Sequence, residues 1–343
     1  MAESLKILLV RLGALGDIVH GLPVAAGLRA RYPDVQLDWL VDARHAALLE
    51  FVPAISRRIA VDGRHWGAAI GAVRALRRER YDAAVDLQGL VKSAAFARLS
   101  GATRVVGFSR GHLREKAAGA FYTERCEPPS PAHVVDKNLA LLGAFGIASR
   151  ETRFPIVVPP PSSAALAGIP GVAESRGLRG YALINPGAAW PNKRWPPQRF
   201  GEIAAALATG HALLPVVLWG PGEQALASSV VDASGGAAAL APPTSIGDIL
   251  ALARGARLFV SGDTGPLHLA AAVGAPVVAL FGPTDPARNG PWDAADISLS
   301  RYADCVCHYQ RRCRRSRARI DDVSVDEARA AIDRRLTAAE LHA

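Results

Sequence analysis

An α/β protein built from two parallel-sheet units is the fold class predicted by three features of the chain. Residues 5–10, LKILLV, run directly into a glycine loop, RLGALGD, and then into a stretch with helical spacing at 18–32, which is how a doubly wound sheet opens. The pattern dissolves at about 154–178 into FPIVVPPPSSAALAGIPGVAESRGL and then restarts, so a second sheet follows the first. The length, 343 residues, exceeds what one core usually holds and suits two units of about 150 residues each.

Taken in order, the short apolar runs at 36–41, 83–86 and 105–107 alternate with helical stretches as parallel strands do, giving a Rossmann-like unit over 1–160. A linker is expected over 161–178 and a second Rossmann-like unit over 179–322. Its strands are expected at 181–185 and 215–219, with a short run at 237–240, and its helices through 208 and at 224–233 and 246–254. A last helix at 325–336, within 323–343, can pack on either unit, including back on the first.

Composition narrows the classes. No apolar run reaches the ~18 residues of a membrane-spanning helix, and the start lacks the small-residue cleavage site of a signal peptide, so a soluble intracellular protein is expected. The four cysteines form no disulfide framework. A net charge of +9, from 40 Lys plus Arg against 31 Asp plus Glu, favours an anionic partner without choosing among nucleotide phosphates, nucleic acid and an anionic membrane.

Residues 261–286, SGDTGPLHLAAAVGAPVVALFGPTDP, read as strand end, polar turn, helix, strand and second loop. Pro266 suits the first turn of a helix, and backbone amides at such a start face an anion. A second strand-to-loop junction, NPGAAWPNKRW at 185–195, projects Lys193 and Arg194. A lysine there would offset charge on a leaving diphosphate. Asp17 follows the first glycine loop at a helix start, where its ionised form is favoured; it is placed to be a base or simply a cap. Arg64 and Arg114 lie in basic loops of the first half and suit a phosphorylated or carboxylated acceptor. The spacing GALGD is not G-x-G-x-x-G, which argues against a dinucleotide-dependent oxidoreductase. Cys305, Cys307, His308 and Cys313 lack the paired spacing of a zinc site, and the arginines of 311–319 are either a solvated segment or a contact for anionic lipid.

These motifs resemble glycosyltransferase family 9, the bacterial ADP-heptose:lipopolysaccharide heptosyltransferases, over nearly the whole chain. RLGALGDIVHGLP resembles the family's amino-terminal loop, NKRWP its lysine motif, and residues 261–286 its most specific segment, while YDAAVDLQGLVKSA and REKAAGAFY look most like heptosyltransferase I. The resemblance implies a GT-B architecture, two Rossmann-like domains facing each other across a cleft. It also implies an inverting, metal-independent transfer of heptose from ADP-L-glycero-D-manno-heptose to the Kdo region of lipid A. By motif position Asp17 is implied as general base, with Lys193, Asp263, Thr264, Gly265, His268 and Glu223 on the donor, and Arg64 and Arg114 on the acceptor. No cofactor, no metal and no nucleic acid are implied, and the protein would work peripherally at the cytoplasmic face of the inner membrane. Another family 9 transferase, of heptosyltransferase II type or with a different sugar, and a non-catalytic nucleotide or polyanion binder are the alternatives. Ala188 and Ala189 stand where heptosyltransferase I often carries hydroxyls near the phosphates, so those hydrogen bonds must be missing or replaced.

Overall fold

The computed structural model describes residues 5–62, 66–148 and 151–341. The chain forms two compact units, Met1–Val157 and Val158–Ala343. The first carries strands β1 (Lys6–Val10), β2 (Gln36–Asp42), β3 (Arg57–Val61), β4 (Ala83–Asp86), β5 (Arg104–Phe108) and β6 (Glu124–Cys126). They pair in parallel in the order β3-β2-β1-β4-β5-β6. The second carries β7 (Tyr181–Asn185), β8 (Leu214–Val217), β9 (Ala239–Leu240), β10 (Leu258–Gly262), β11 (Val277–Phe281) and β12 (Ile297–Ser300), again all parallel, in the order β12-β11-β10-β7-β8-β9. Read from its other edge, the second sheet repeats the order of the first. The two Rossmann-like sheets expected from the sequence are therefore present.

Parallel sheets bury both faces, so their central strands are unbroken apolar runs. Ile7, Leu8, Leu9 and Val10 of β1 and Val277 to Phe281 of β11 are all fully buried. The four edge strands are different. Arg57–Val61 and Glu124–Cys126 in the first unit, Ala239–Leu240 and Ile297–Ser300 in the second, are mostly exposed or half-buried.

The stretch expected as one helix at 18–32 is two helices, Leu15–Val19 and Leu22–Arg31, because the chain turns at Gly21. A β-carbon at Gly21 would come within 3.0 Å of the Trp39 ring, so the turn presses against β2. Residues 161–178 carry two short helices, Ala164–Ala167 and Ile169–Ser175, whose Leu166, Ile169 and Ala173 are buried. Their start is fastened within the second unit, where Asp248 accepts bonds from the Ser162 amide at 2.6 Å and its hydroxyl at 2.9 Å.

The last helix, Val325–Glu340, lies on the second unit, with Ala328, Ala331 and Ile332 in a core cluster alongside Trp195, Phe200 and Leu280. The buried Arg335 is satisfied there by Asp296 at 2.8 Å. Among the described residues no helix is long and apolar enough to cross a membrane.

Candidate active site

In a sheet of this order the connections leave in opposite directions from the first and fourth strands, and ligands bind beyond the carboxyl ends of those two strands. In the second unit these are β7 and β10. Lys193 lies after β7, and Asp263, Thr264 and Gly265 follow β10, so the topology delivers the expected donor residues to one place.

Asp263 is the centre of that place. It is 6% exposed, and its carboxylate meets the Lys193 ammonium at 2.5 Å and the Thr284 hydroxyl at 2.7 Å on one oxygen. The other oxygen meets His268 Nε2 and Asn289 Nδ2, each at 3.2 Å. Burial works against the charge, but the His268 hydrogen bond and the charge and hydrogen bond of Lys193 outweigh it and hold this carboxyl well below the usual range. Asp263 is thus an anion at every physiological pH. Lys193 Nζ also lies 4.6 Å from the Trp190 ring centroid.

Thr264 is the N-cap of the helix Gly265–Ala272, but its side chain makes no capping bond. The hydroxyl is held instead by Asn185 Nδ2 at 3.1 Å, while the same amide reaches the Ser261 hydroxyl at 2.9 Å. The helix start therefore has no side-chain cap on its first amides, an arrangement that suits an anion. Gly262 is required here because a β-carbon would sit 2.6 Å from the Lys193 carbonyl, so β10 passes directly beneath the lysine loop.

Ala188 and Ala189 bring no hydroxyl, and the loop after β7 is held by other donors: Arg194 Nε reaches the Ala188 carbonyl at 2.8 Å and Asn185 the Gly187 carbonyl at 3.3 Å. Glu223 begins the helix Gln224–Ala233 and lies against this loop. Its carboxylate accepts from the Gly220 amide at 3.2 Å and lies 3.6 Å from Arg194. A β-carbon at Gly187 would fall 2.0 Å from Glu223 Oε2, so only glycine leaves room for that carboxylate.

In the first unit the corresponding strands are β1 and β4. Asp17 sits in the short helix after β1, half-exposed, with one carboxylate oxygen 2.7 Å from Arg11 and the other accepting the Ala14 amide at 3.0 Å. Arg11 is 8% exposed and donates its other terminal nitrogen to the Leu87 carbonyl, just beyond β4. Gln88 accepts the Leu12 amide at 2.9 Å. Beneath this loop the fully buried Asp86 accepts the Tyr122 hydroxyl at 2.7 Å, the Ser93 hydroxyl at 3.0 Å and the Gln88 amide at 2.8 Å, and burial pushes its carboxyl up.

Arg114 is exposed, ahead of the helical turn Lys116–Phe121, whose neighbour Glu115 accepts the Val91 amide at 2.7 Å. Arg64 lies outside the described residues. Sequence reasoning missed Arg11, Thr284 and Asn289. Thr284 lay in plain sight in the loop GPTDP, but nothing local says that its hydroxyl folds back onto Asp263.

Two sheets of this order, each presenting charged loops at its switch point, define a two-unit α/β protein of the kind that handles a nucleotide-linked substrate. Residues 71–318 match the family model described as glycosyltransferase family 9 (heptosyltransferase), and the chain belongs to that family: it is a glycosyltransferase. Lipopolysaccharide heptosyltransferase 1 of Pseudomonas aeruginosa is 28% identical over 323 residues, covering 90% of this chain and 87% of that protein. The protein of the same name from Escherichia coli K12 is 28% identical over 298 residues, covering 83% and 90%. In three dimensions the fold resembles an E. coli heptosyltransferase WaaC solved with ADP, with a TM-score of 0.75 at 23% identity over 96% of this chain and 97% of that one. A family 9 glycosyltransferase of Veillonella parvula gives a TM-score of 0.78 at 22% identity, covering 98% and 99%.

Proposed function

We propose that this enzyme transfers heptose from ADP-L-glycero-D-manno-heptose to the Kdo region of lipid A, as heptosyltransferase I does. The observation that carries the reading is the Lys193–Asp263 pair beside an uncapped helix start at the switch point of the second unit. It offers a fixed anion for sugar hydroxyls next to a cation and free amides for a diphosphate. The curated relatives named above and the family to which the chain belongs supply the heptose.

The chemistry follows from these groups. The acceptor hydroxyl attacks the anomeric carbon through an oxocarbenium-like state, the bond to the ADP oxygen breaks, and Asp17 takes the hydroxyl proton. A single displacement inverts the anomeric centre. Negative charge grows on the departing ADP, where Lys193 and the Thr264 and Gly265 amides stabilise it.

Asp263 accepts bonds from four side chains of its own unit, which fills the roughly four acceptor sites of a carboxylate. To hold a heptose hydroxyl it must release one of them. Lys193, with its flexible stem, is the partner released, so donor binding hands the ammonium from Asp263 to the diphosphate. Glu223 contacts the adenosine ribose, and Arg64 and Arg114 take the anionic acceptor. With charge neutralisation supplied by the protein, the reaction proceeds without a divalent cation. On this reading the enzyme works at the cytoplasmic face of the inner membrane by peripheral contact.

The test is turnover of ADP-heptose and Kdo-primed lipid A with chelator present. ADP release with a heptosylated lipid supports the reading. A folded protein that releases ADP only with a different acceptor would redirect it to another member of the family.

A further inference from the structure

Residues 301–318 link β12 to the helical turn Arg319–Asp322, and their thiols have no part in the transfer described above. Cys307 is fully buried and Cys313 partly exposed, with their sulfurs 3.3 Å apart. The Arg314 amide donates to Cys307 Sγ at 3.3 Å. Between these two cysteines lie both backbone groups that tie the segment to the donor loops. The Tyr309 amide donates to the Pro283 carbonyl at 2.9 Å, one residue before Thr284. The Gln310 carbonyl accepts Asn192 Nδ2 at 2.9 Å, one residue before Lys193.

We infer that Cys307 and Cys313 are a reversible dithiol–disulfide pair, a modification site whose closure is felt at the donor loops. The oxidant is a low-molecular-weight disulfide. The Cys313 thiolate, the one reached from solvent, attacks it and releases one thiolate, leaving a mixed disulfide on Cys313. The Cys307 thiolate then attacks the Cys313 sulfur, expels the second thiolate and forms the internal bond. The two protein protons end on the two released thiols, and the reagent takes up the two electrons.

The surroundings suit these roles. The Arg314 amide and the Cys313 contact, with the nearby charges of Arg314 and Arg315, hold Cys307 below the usual thiol range and ready to resolve. At Cys313 the Arg315 amide pulls down, but burial and Cys307 outweigh it and push its thiol up.

A disulfide needs its sulfurs about 2.0 Å apart. Closing from 3.3 Å draws together the two ends of the loop that carries Tyr309 and Gln310, and so bears on their bonds to Pro283 and Asn192. The coupling to donor binding rests on the reading of Lys193 and Asp263 given above.

The test treats the reduced full-length protein with oxidised glutathione, maps disulfides by peptide mass spectrometry, and measures ADP affinity before and after. Expected are a Cys307–Cys313 linkage reversed by dithiothreitol, and ADP binding weakened about threefold or more, since the contacts at Pro283 and Asn192 are displaced. Cys313→Ser should abolish both effects and Cys126→Ser neither. A persistent glutathione adduct on Cys313, or a linkage through Cys305, would overturn the pair. A Cys307–Cys313 bond with unchanged ADP affinity would overturn the coupling. Failure of the reduced protein to bind ADP would overturn the donor reading and the coupling with it, while the mass-spectrometric result still decides the disulfide.

Discussion

At Asp263 a buried carboxylate is kept charged by four side-chain partners that, on the proposed reading, a donor must partly displace, and this sets what substitutions there should do. If Lys193 is the cation for the leaving diphosphate, its replacement by Ala should lower kcat by about 10²–10³, while leaving Asp263 with three of its four partners and the unit folded. Steady-state rates with circular dichroism as a fold control measure this. Gly187→Ala places a methyl where Glu223 Oε2 now lies, so its effect should appear mainly as weaker ADP binding by calorimetry, with Trp195 and the core beneath undisturbed. The chemistry of single residues was only half legible. The places of Asp17, Lys193 and Asp263, just beyond the ends of buried strands, could be read because each stands near glycines that follow an apolar run. Arg11 could not, since its task is defined by the Leu87 carbonyl and Asp17, one of them 76 residues away.

Among the elements, legibility followed burial. The central strands were visible as apolar runs, and the helix Gln224–Ala233 has the bounds its spacing predicted. The edge strands Arg57–Val61, Glu124–Cys126 and Ile297–Ser300 escaped because one side of an edge meets solvent and tolerates polar residues, which erases the run. The last helix shows a complete start signal: Ser324 and Glu327 form a reciprocal capping box, and Arg301 pairs with Glu327 at 2.6 Å.

The Ser324 amide, and then Arg301, lower the Glu327 carboxyl from its ordinary value of 4.5 to about 2. A depressed folded-state value contributes stability that is fully present above pH 4.5 and is lost as pH falls toward 2. Glu327→Gln should therefore lower the melting temperature at pH 7, with the gap to wild type closing on acidification through that window. A constant gap across the window would exclude the ionised cap. On the buried face, Ile332→Ala should cost about 2–5 kcal/mol in denaturant unfolding, since the side chain is 2% exposed within the second core.

Viewed as a whole, the molecule uses one sheet order twice, and each copy brings charged loops to its own switch point. The sequence announced the repetition through two strand-to-glycine-loop junctions and the change of composition near 154–178. It could not announce where the intervening segment belongs, because the Ser162–Asp248 bonds that fasten it span 86 residues. The two copies also divide the proposed work: the first unit holds the base and the second the donor.

That division has a direct test, comparing wild type with Asp17→Asn on ADP-heptose and Kdo-primed lipid A, chelator present, alongside ADP affinity. The wild type should release ADP and yield heptosylated lipid. The variant should lose about 10²–10⁴ in rate while binding ADP as tightly, because its change lies in the first unit and the proposed nucleotide site in the second. Unchanged turnover in the variant would remove Asp17 as the base, and a folded wild type that gave neither product would contradict heptosyl transfer to this acceptor.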